Sequence, residues 1–250
     1  MDACTSFVNK NYLIIGGSSG IGLAVAQGLV ERGANAIIVG SSKAKLKAAK
    51  ETLATNCSAI AADLSTPGAI EGVFKALEET KCVLDGMVYC AGISPLCLVA
   101  DNSQELMQKV FQINVFSYIE AVRLFQDKRF SRKGSRIVAI SSITAKGAGY
   151  RQTLYGSSKA AMISATKLMA RELYNREIRI NCISPGVTDT PMLDELRTQS
   201  DNLEAKVKEK QMLGIIPPQN IGKAVMFLLS DGSDFLSGTE WVLDGGDSLK

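Results

Sequence analysis

Residues 12 to 22 read Tyr12-Leu-Ile-Ile-Gly-Gly-Ser-Ser-Gly-Ile-Gly22, an apolar run that breaks into a glycine-rich turn. Tyr12 to Ile15 is too short for a helix and suits a strand buried on both faces. From Ile21 to Arg32 the apolar residues Ile21, Val25, Leu29 and Val30 share one face at helical spacing. Between strand and helix, the glycines let the chain turn sharply and approach a ligand that a Cβ would keep away. Backbone amides of the turn and the positive end of the helix dipole then face the same point, which is an anion cradle. The stretch predicts a dinucleotide pyrophosphate held by Gly16, Ser18, Ser19, Gly20, Ile21 and Gly22. A glycine-rich turn without a ligand is the plainer alternative.

Working outward, short apolar runs alternate with helical periods along the chain. Strands are expected at Ala36 to Val39, Ser58 to Ala62, Met87 to Cys90, Arg136 to Ile140, Ile178 to Ile183 and Thr239 to Leu243. Helices are expected at Lys43 to Leu53, from Pro67 with Ile70, Val73, Phe74 and Leu77 on one stripe, at Ser103 to Phe125, Thr153 to Tyr174 and Asn220 to Leu229. Near-continuous apolar strands such as Ile137-Val-Ala-Ile140 imply parallel strands under crossover helices. The pattern predicts a single doubly wound α/β domain over residues 1–250, its mainly parallel sheet flanked by helices. Pro191 to Ile216 interrupts the rhythm as a mostly polar insertion, the best candidate for a mobile lid over a substrate.

Composition narrows the chemistry. The 250 residues are 46% hydrophobic and 21% charged, as a domain with a sizeable core requires. Histidine is absent, which removes Ser-His-Asp and Cys-His nucleophile systems and His-based zinc sites; no metal site is expected. Twenty-eight basic against 25 acidic residues give a formal +3, interspersed and too weak for nucleic-acid tracking. The six cysteines (Cys4, Cys57, Cys82, Cys90, Cys97 and Cys182) form no Cys-x-x-Cys pair, as expected of a reducing compartment. Neither a signal peptide nor a membrane span is expected, so a soluble cytoplasmic protein follows.

At the end of the second strand, where a carboxylate would accept both ribose hydroxyls of NAD, the chain reads Val39-Gly-Ser-Ser-Lys43. Ser41, Ser42 and Lys43 offer donors and a positive charge suited to a 2′-phosphate, favouring NADP, although Lys43 has an equally simple reading as a solvated first-turn residue. Asp63, followed by Leu64, ends the third strand, where its carboxylate either accepts from an adenine amino group or caps the next helix.

Tyr155 and Lys159 are four apart on an expected helix, so their tips come within reach of each other. A nearby ammonium favours phenolate and lowers a phenol pKa. Ser142 ends the fifth strand, where ligands bind in such sheets. Asn114 lies inside a long helix, an odd place for a residue of low helical propensity unless its amide has a partner. Each has a bland explanation; their joint occurrence on one βαβ frame does not.

This constellation closely resembles the short-chain dehydrogenase/reductase family over nearly the whole chain. Gly16, Gly20 and Gly22 match its Gly-x-x-x-Gly-x-Gly loop, Asp63 its adenine-site Asp, Ala91-Gly92 the end of its Asn-Asn-Ala-Gly motif, and Asn114, Ser142, Tyr155 and Lys159 its tetrad. Pro185, Gly186, Val187, Thr188 and Thr190 resemble its nicotinamide-contacting segment, and Asp244-Gly245-Gly246 its C-terminal turn. Ile15 and Tyr89-Cys90 depart from the pattern, at groups that normally tie the glycine loop to its neighbouring strand.

The resemblance implies a Rossmann domain in which Tyr155 donates a proton to a carbonyl oxygen, Ser142 polarises it, Lys159 binds the nicotinamide ribose and lowers the Tyr pKa, and Asn114 holds a relay water. It implies an NADPH-dependent ketoreductase most like the 3-oxoacyl-[acyl-carrier-protein] reductases, acting on a small-molecule or carrier-bound ketone. Arg129 and Arg171, helped by Lys128, Arg132 and Lys133, are the candidates for carrier docking. A sugar, steroid or secondary-alcohol dehydrogenase is the alternative within the family, and a non-catalytic nucleotide-binding regulator the alternative outside it. Enoyl reduction fits less well, because relatives doing it space Tyr and Lys more widely. A substrate pocket is expected from Ser94 to Leu98, Ile143 to Gln152 and the lid, with no diagnostic charge. Family members usually form tetramers, and Phe111, Phe116, Met162, Phe227 and Trp241 are the apolar interface candidates for a homotetramer here.

Overall fold

The apolar runs become strands β1 (Asn11–Ile15), β2 (Asn35–Gly40), β3 (Cys57–Ala61), β4 (Leu84–Tyr89), β5 (Ser131–Ile140), β6 (Arg179–Pro185) and β7 (Glu240–Leu243). They are seen in a computed structural model that describes residues 7–53, 56–147, 149–197 and 202–249. Cys4 and residues 148 and 198–201 of the expected pocket and lid lie outside the described residues. The strands form one sheet in the order β3-β2-β1-β4-β5-β6-β7, with every neighbouring pair parallel. The order reverses between β1 and β4, so a crevice opens beyond their C-terminal ends, where Ile15 pairs with Tyr89.

Helices α1 (Gly20–Val30), α2 (Lys43–Leu53), α3 (Ala69–Glu79), α4 (Gln104–Phe111), α5 (Ser117–Phe125), α6 (Thr153–Glu172), α7 (Pro191–Arg197), α8 (Leu203–Lys210) and α9 (Pro218–Leu228) cover the sheet and its open end. Alternation along each strand feeds two cores. Tyr12, Ile14 and Ile38 pack with Val25 and Leu29 of α1 and Ile221 and Val225 of α9. Leu13, Ile15 and Val39 face the other way, with Phe74, Tyr118, Phe125 and Met162. Burial on both faces is why the strands read as unbroken apolar runs.

Two expectations are corrected. The single helix from Ser103 to Phe125 is interrupted by a π-helical turn, Gln112–Phe116, between α4 and α5. Pro67 does not open a helix: α3 starts at Ala69, after Gly68 in the left-handed region at φ 82°. The polar stretch after Pro191 forms two short helices, α7 and α8. Among the described residues no helix is long and apolar enough to cross a membrane.

Candidate active site

The glycine loop is held by its backbone. The Gly16 and Gly17 amides donate to the Val39 carbonyl at 2.9 and 3.1 Å, and the Cys90 amide to that of Ile15 at 2.7 Å. These bonds tie β1, β2 and the end of β4 together where Ile15 and Cys90 depart from the family pattern. A Cβ on Gly22 would stand 2.2 Å from the Gly16 carbonyl oxygen, so α1 approaches the loop only because residue 22 is glycine. Ser19, extended before α1, makes no side-chain cap, which leaves the first-turn amides without side-chain partners.

From this loop a cavity of about 980 Å³ runs across the strand ends to α6. Gly16, Ser18, Ser19, Gly20, Ile21, Gly22, Ser41, Asp63, Leu64, Ala91 and Gly92 line it, as do Ser142, Tyr155, Lys159, Pro185, Gly186, Val187, Thr188 and Thr190. Ser42, Lys43 and Asn114 are not in its wall. An elongated cavity with an amide cradle at one end and a tyrosine and a lysine at the other fits a dinucleotide with its reactive ring beside Tyr155.

At the β2 end, Ser42 serves α2: its hydroxyl accepts from the Lys45 amide at 3.3 Å. Lys43 is exposed at the first position of the same helix. The Asp63 carboxylate accepts from the amide and hydroxyl of Ser65 at 3.0 and 2.8 Å, bonds that hold it below its ordinary pKa. Because α3 begins only at Ala69, Asp63 closes a local turn and does not cap that helix.

At the other end, Lys159 is buried and its ammonium donates to the Ile140 carbonyl at 2.7 Å. Burial pushes its pKa down to about 8, against weaker upward effects of Cys90 and Cys182. The ammonium stands 5.8 Å from the centre of the Tyr155 ring. Burial pushes the Tyr155 phenol up, while a hydrogen bond with Ser142 draws it down; the Lys159 charge is not what sets it here. Tyr155 is therefore protonated at neutral pH. The Ser141 hydroxyl donates to the Lys159 carbonyl at 3.0 Å, fixing α6 against the end of β5.

Asn114 sits in the π-helical turn, fully buried. Its Oδ1 accepts from the Ile93 amide at 2.9 Å, and its Nδ2 donates to the Ile93 carbonyl at 3.0 Å and to the Ser158 hydroxyl at 2.9 Å. Ser158 in turn donates to the Tyr155 carbonyl at 2.7 Å. Both amide hydrogens of Asn114 are thus spent on joining the loop after β4 to α6. The Tyr89 hydroxyl, donating to the Ile113 carbonyl, anchors the same turn. Sequence reasoning passed over Tyr89, whose only signal was its departure from the family pattern.

The substrate end is bordered by Ser94, Pro95, Leu96, Ile143, Thr144, Met192, Leu193 and Val207, an apolar lining as expected. Arg151, Lys206, Lys210 and Asp247 also line the cavity. The basic run at Lys128 to Lys133 leads into the start of β5. Because Ser131 pairs with Leu84 and Ala139 with Tyr89, it stands at the other end of the sheet from Ser142, about 20 Å away. Arg129 is paired with Glu78 and Asp127, Arg132 with Asp85 and Lys133 with Glu177. Arg171 ends α6, about 24 Å along the helix from Tyr155. None of these cations borders the cavity.

An all-parallel Rossmann sheet with a tyrosine and a lysine one helical turn apart beside its switch-point cavity defines a nicotinamide-dependent oxidoreductase. The chain belongs to the short-chain dehydrogenase/reductase family. A family model described as enoyl-(acyl carrier protein) reductase matches residues 16–248. Oxidoreductase UcpA of Escherichia coli K12 is 32% identical over 249 residues, 96% of this chain and 95% of that one. The 3-oxoacyl-[acyl-carrier-protein] reductase FabG of Chlamydia trachomatis is 32% identical over 244 residues, 96% of this chain and 97% of its own. A short-chain type dehydrogenase/reductase from Mycobacterium ulcerans superposes with a TM-score of 0.89 at 28% identity, covering 98% and 92% of the two chains. A 4-hydroxyisoleucine dehydrogenase complexed with NADH gives 0.87 at 29% identity, over 97% and 100%. The protein is accordingly an NAD(P)-dependent dehydrogenase/reductase.

Proposed function

We propose that this enzyme is an NADPH-dependent ketoreductase of the 3-oxoacyl-[acyl-carrier-protein] reductase type. The observation that carries the reading is Tyr155 one helical turn from buried Lys159, with Ser142 beside them in the wall at one end of a dinucleotide-sized cavity. Bound reduced nicotinamide supplies the hydride that reaches the carbonyl carbon. Tyr155 gives its phenolic proton to the carbonyl oxygen, and the Ser142 hydroxyl donates to that oxygen as charge builds on it. Lys159, turned from the Ile140 carbonyl, binds the nicotinamide ribose and stabilises the phenolate that Tyr155 becomes. Asn114 holds the frame in which Tyr155 and Lys159 stand.

The missing carboxylate at Gly40-Ser-Ser-Lys43 supports NADPH over NADH. Of these residues Ser41 lines the cavity, and Lys43 is exposed on the first turn of α2. The four-residue spacing of Tyr155 and Lys159 supports ketone over enoyl reduction. Helices α7 and α8 act as the lid: Arg197 of α7 pairs with Asp189, Asp194 and Glu204, joining the lid to the loop after β6. The enzyme works as a homotetramer in the cytoplasm, where its five described cysteines stay free thiols.

A secondary-alcohol dehydrogenase is the second reading, favoured by the dehydrogenase among the structural neighbours. A panel of 3-oxoacyl thioesters, simple ketones and secondary alcohols, followed by nicotinamide absorbance with NADPH and NADH, separates the two. Reduction of an oxoacyl thioester with NADPH supports the first. Turnover only of alcohols with an oxidised cofactor supports the second, and no turnover at all supports a non-catalytic nucleotide binder.

A further inference from the structure

We propose that Gln211 is a positioning residue that sets the nicotinamide-facing wall of the cavity by acting as a neighbouring strand to Val187. The inference rests on the reading that Pro185 to Thr190 contacts the nicotinamide. Beyond β6 the chain stays extended, and Thr188 bridges to Ile216 in parallel fashion. The Ile216 amide donates to the Val187 carbonyl at 3.0 Å, and the Asp189 amide to the Ile216 carbonyl at 2.9 Å. In extended chain the N–H and C=O of one residue point opposite to those of its neighbours. Pairing Val187 and Asp189 on one side therefore turns the N–H and C=O of Thr188, a cavity-lining residue, to the other.

Ile216 alone leaves the Val187 amide without a partner. Gln211 fills that place: its Oε1 accepts from the Val187 amide at 2.8 Å and its Nε2 donates to the Val187 carbonyl at 2.9 Å. The same Nε2 donates to the Gly214 carbonyl. The side chain is wholly buried. Gly186 lies so close that a Cβ there would stand 2.2 Å from Oε1, and a Cβ on Gly245 would stand 2.8 Å from Cγ. One amide thus joins the loop after β6, the chain leaving α8 and the C-terminal turn. Without it the part-buried Val187 amide has no partner, and the loop is free to rotate away from the geometry that aims Thr188 at a ligand.

The test compares two ligands of each variant: the intact reduced cofactor, NADPH or NADH, whichever the wild type binds tighter, and the matching ADP-ribose or 2′-phospho-ADP-ribose, which lacks only the nicotinamide. Gln211→Leu keeps the bulk and removes the amide. Gln211→Glu keeps the shape but sets a second acceptor against the Val187 and Gly214 carbonyls, and it serves if the leucine variant does not fold. Isothermal titration is expected to show cofactor binding weakened about tenfold, with the ADP-ribose unchanged within about twofold. A purely structural role would weaken both ligands together. Equal loss of both, or loss of neither, overturns the role of Gln211. A wild type that binds the intact cofactor no better than its ADP-ribose overturns the nicotinamide reading of the loop, and this inference with it.

Discussion

The ammonium of Lys159 and the carbonyl oxygen of Ile140 are 2.7 Å apart, and no carboxylate is among the groups that shift the lysine's pKa. A buried cation satisfied by a carbonyl and not by a counter-charge is held at a cost, which is why its pKa falls to about 8. Unfolded, the lysine titrates near its ordinary value of 10.5. Between the two values the unfolded chain binds more protons than the folded one, so this group makes stability rise with pH across that window. Below about pH 8 the full cost is present; above about pH 10.5 it is gone.

Thermal unfolding of wild type and Lys159→Met from pH 7 to pH 10 tests the effect, since Lys159 itself titrates in only one of them. The wild type is expected to gain stability relative to the variant as pH rises above 8. Parallel curves would mean that Lys159 is not charged in a desolvated site.

Cofactor choice is tested at the end of β2. NADPH is expected to bind more tightly than NADH, and Ser41→Asp to weaken NADPH by at least about tenfold through like-charge repulsion. Gly40→Asp is the less clean substitution, because a Cβ there would stand 2.8 Å from the Ser18 hydroxyl oxygen and disturb the glycine loop itself. Fluorescence titration of both cofactors decides; equal or tighter NADH binding to the wild type contradicts the reading of Gly40 to Lys43.

Assembly is tested by light scattering coupled to size exclusion at micromolar protein. Of the apolar interface candidates, Met162 is fully buried in the core and drops out. Phe116 remains exposed between α4 and α5, and Phe227 on α9 stacks on Trp241 of β7 with ring centres 5.2 Å apart. Leu168 on α6 and Phe235 before the edge strand are exposed as well. A tetramer is expected, and Phe116→Glu is expected to reduce it to a dimer. A single species at 26.7 kDa would contradict it.

What the chain revealed in advance follows from range. Tyr12 to Ile15 and Ile137 to Ile140 were legible as strands because burial on both faces leaves an apolar run, and Lys43 to Leu53 as a helix because its period is local. The switch-point cavity followed from strand order, and Gly16 to Gly22, Tyr155 and Lys159 from their spacing. The π-helical turn was not legible, since it is fixed by bonds from Asn114 to Ile93 and from Tyr89 to Ile113, residues distant in sequence. Charge told nothing of direction: the basic run at Lys128 to Lys133 falls at the start of β5, away from the cavity. Gln211 lay in a polar stretch without period, and only the packing of Gly186 and Gly245 against it makes the residue stand out.

The central claim is that Tyr155 gives the proton in a hydride reduction. It is tested most directly by single-turnover loss of reduced nicotinamide absorbance in wild type and Tyr155→Phe, with the best ketone from the substrate panel and cofactor affinity measured alongside. The account predicts a rate at least ~100-fold lower in the variant with cofactor affinity nearly unchanged. A variant that transfers hydride at close to the wild-type rate would contradict it.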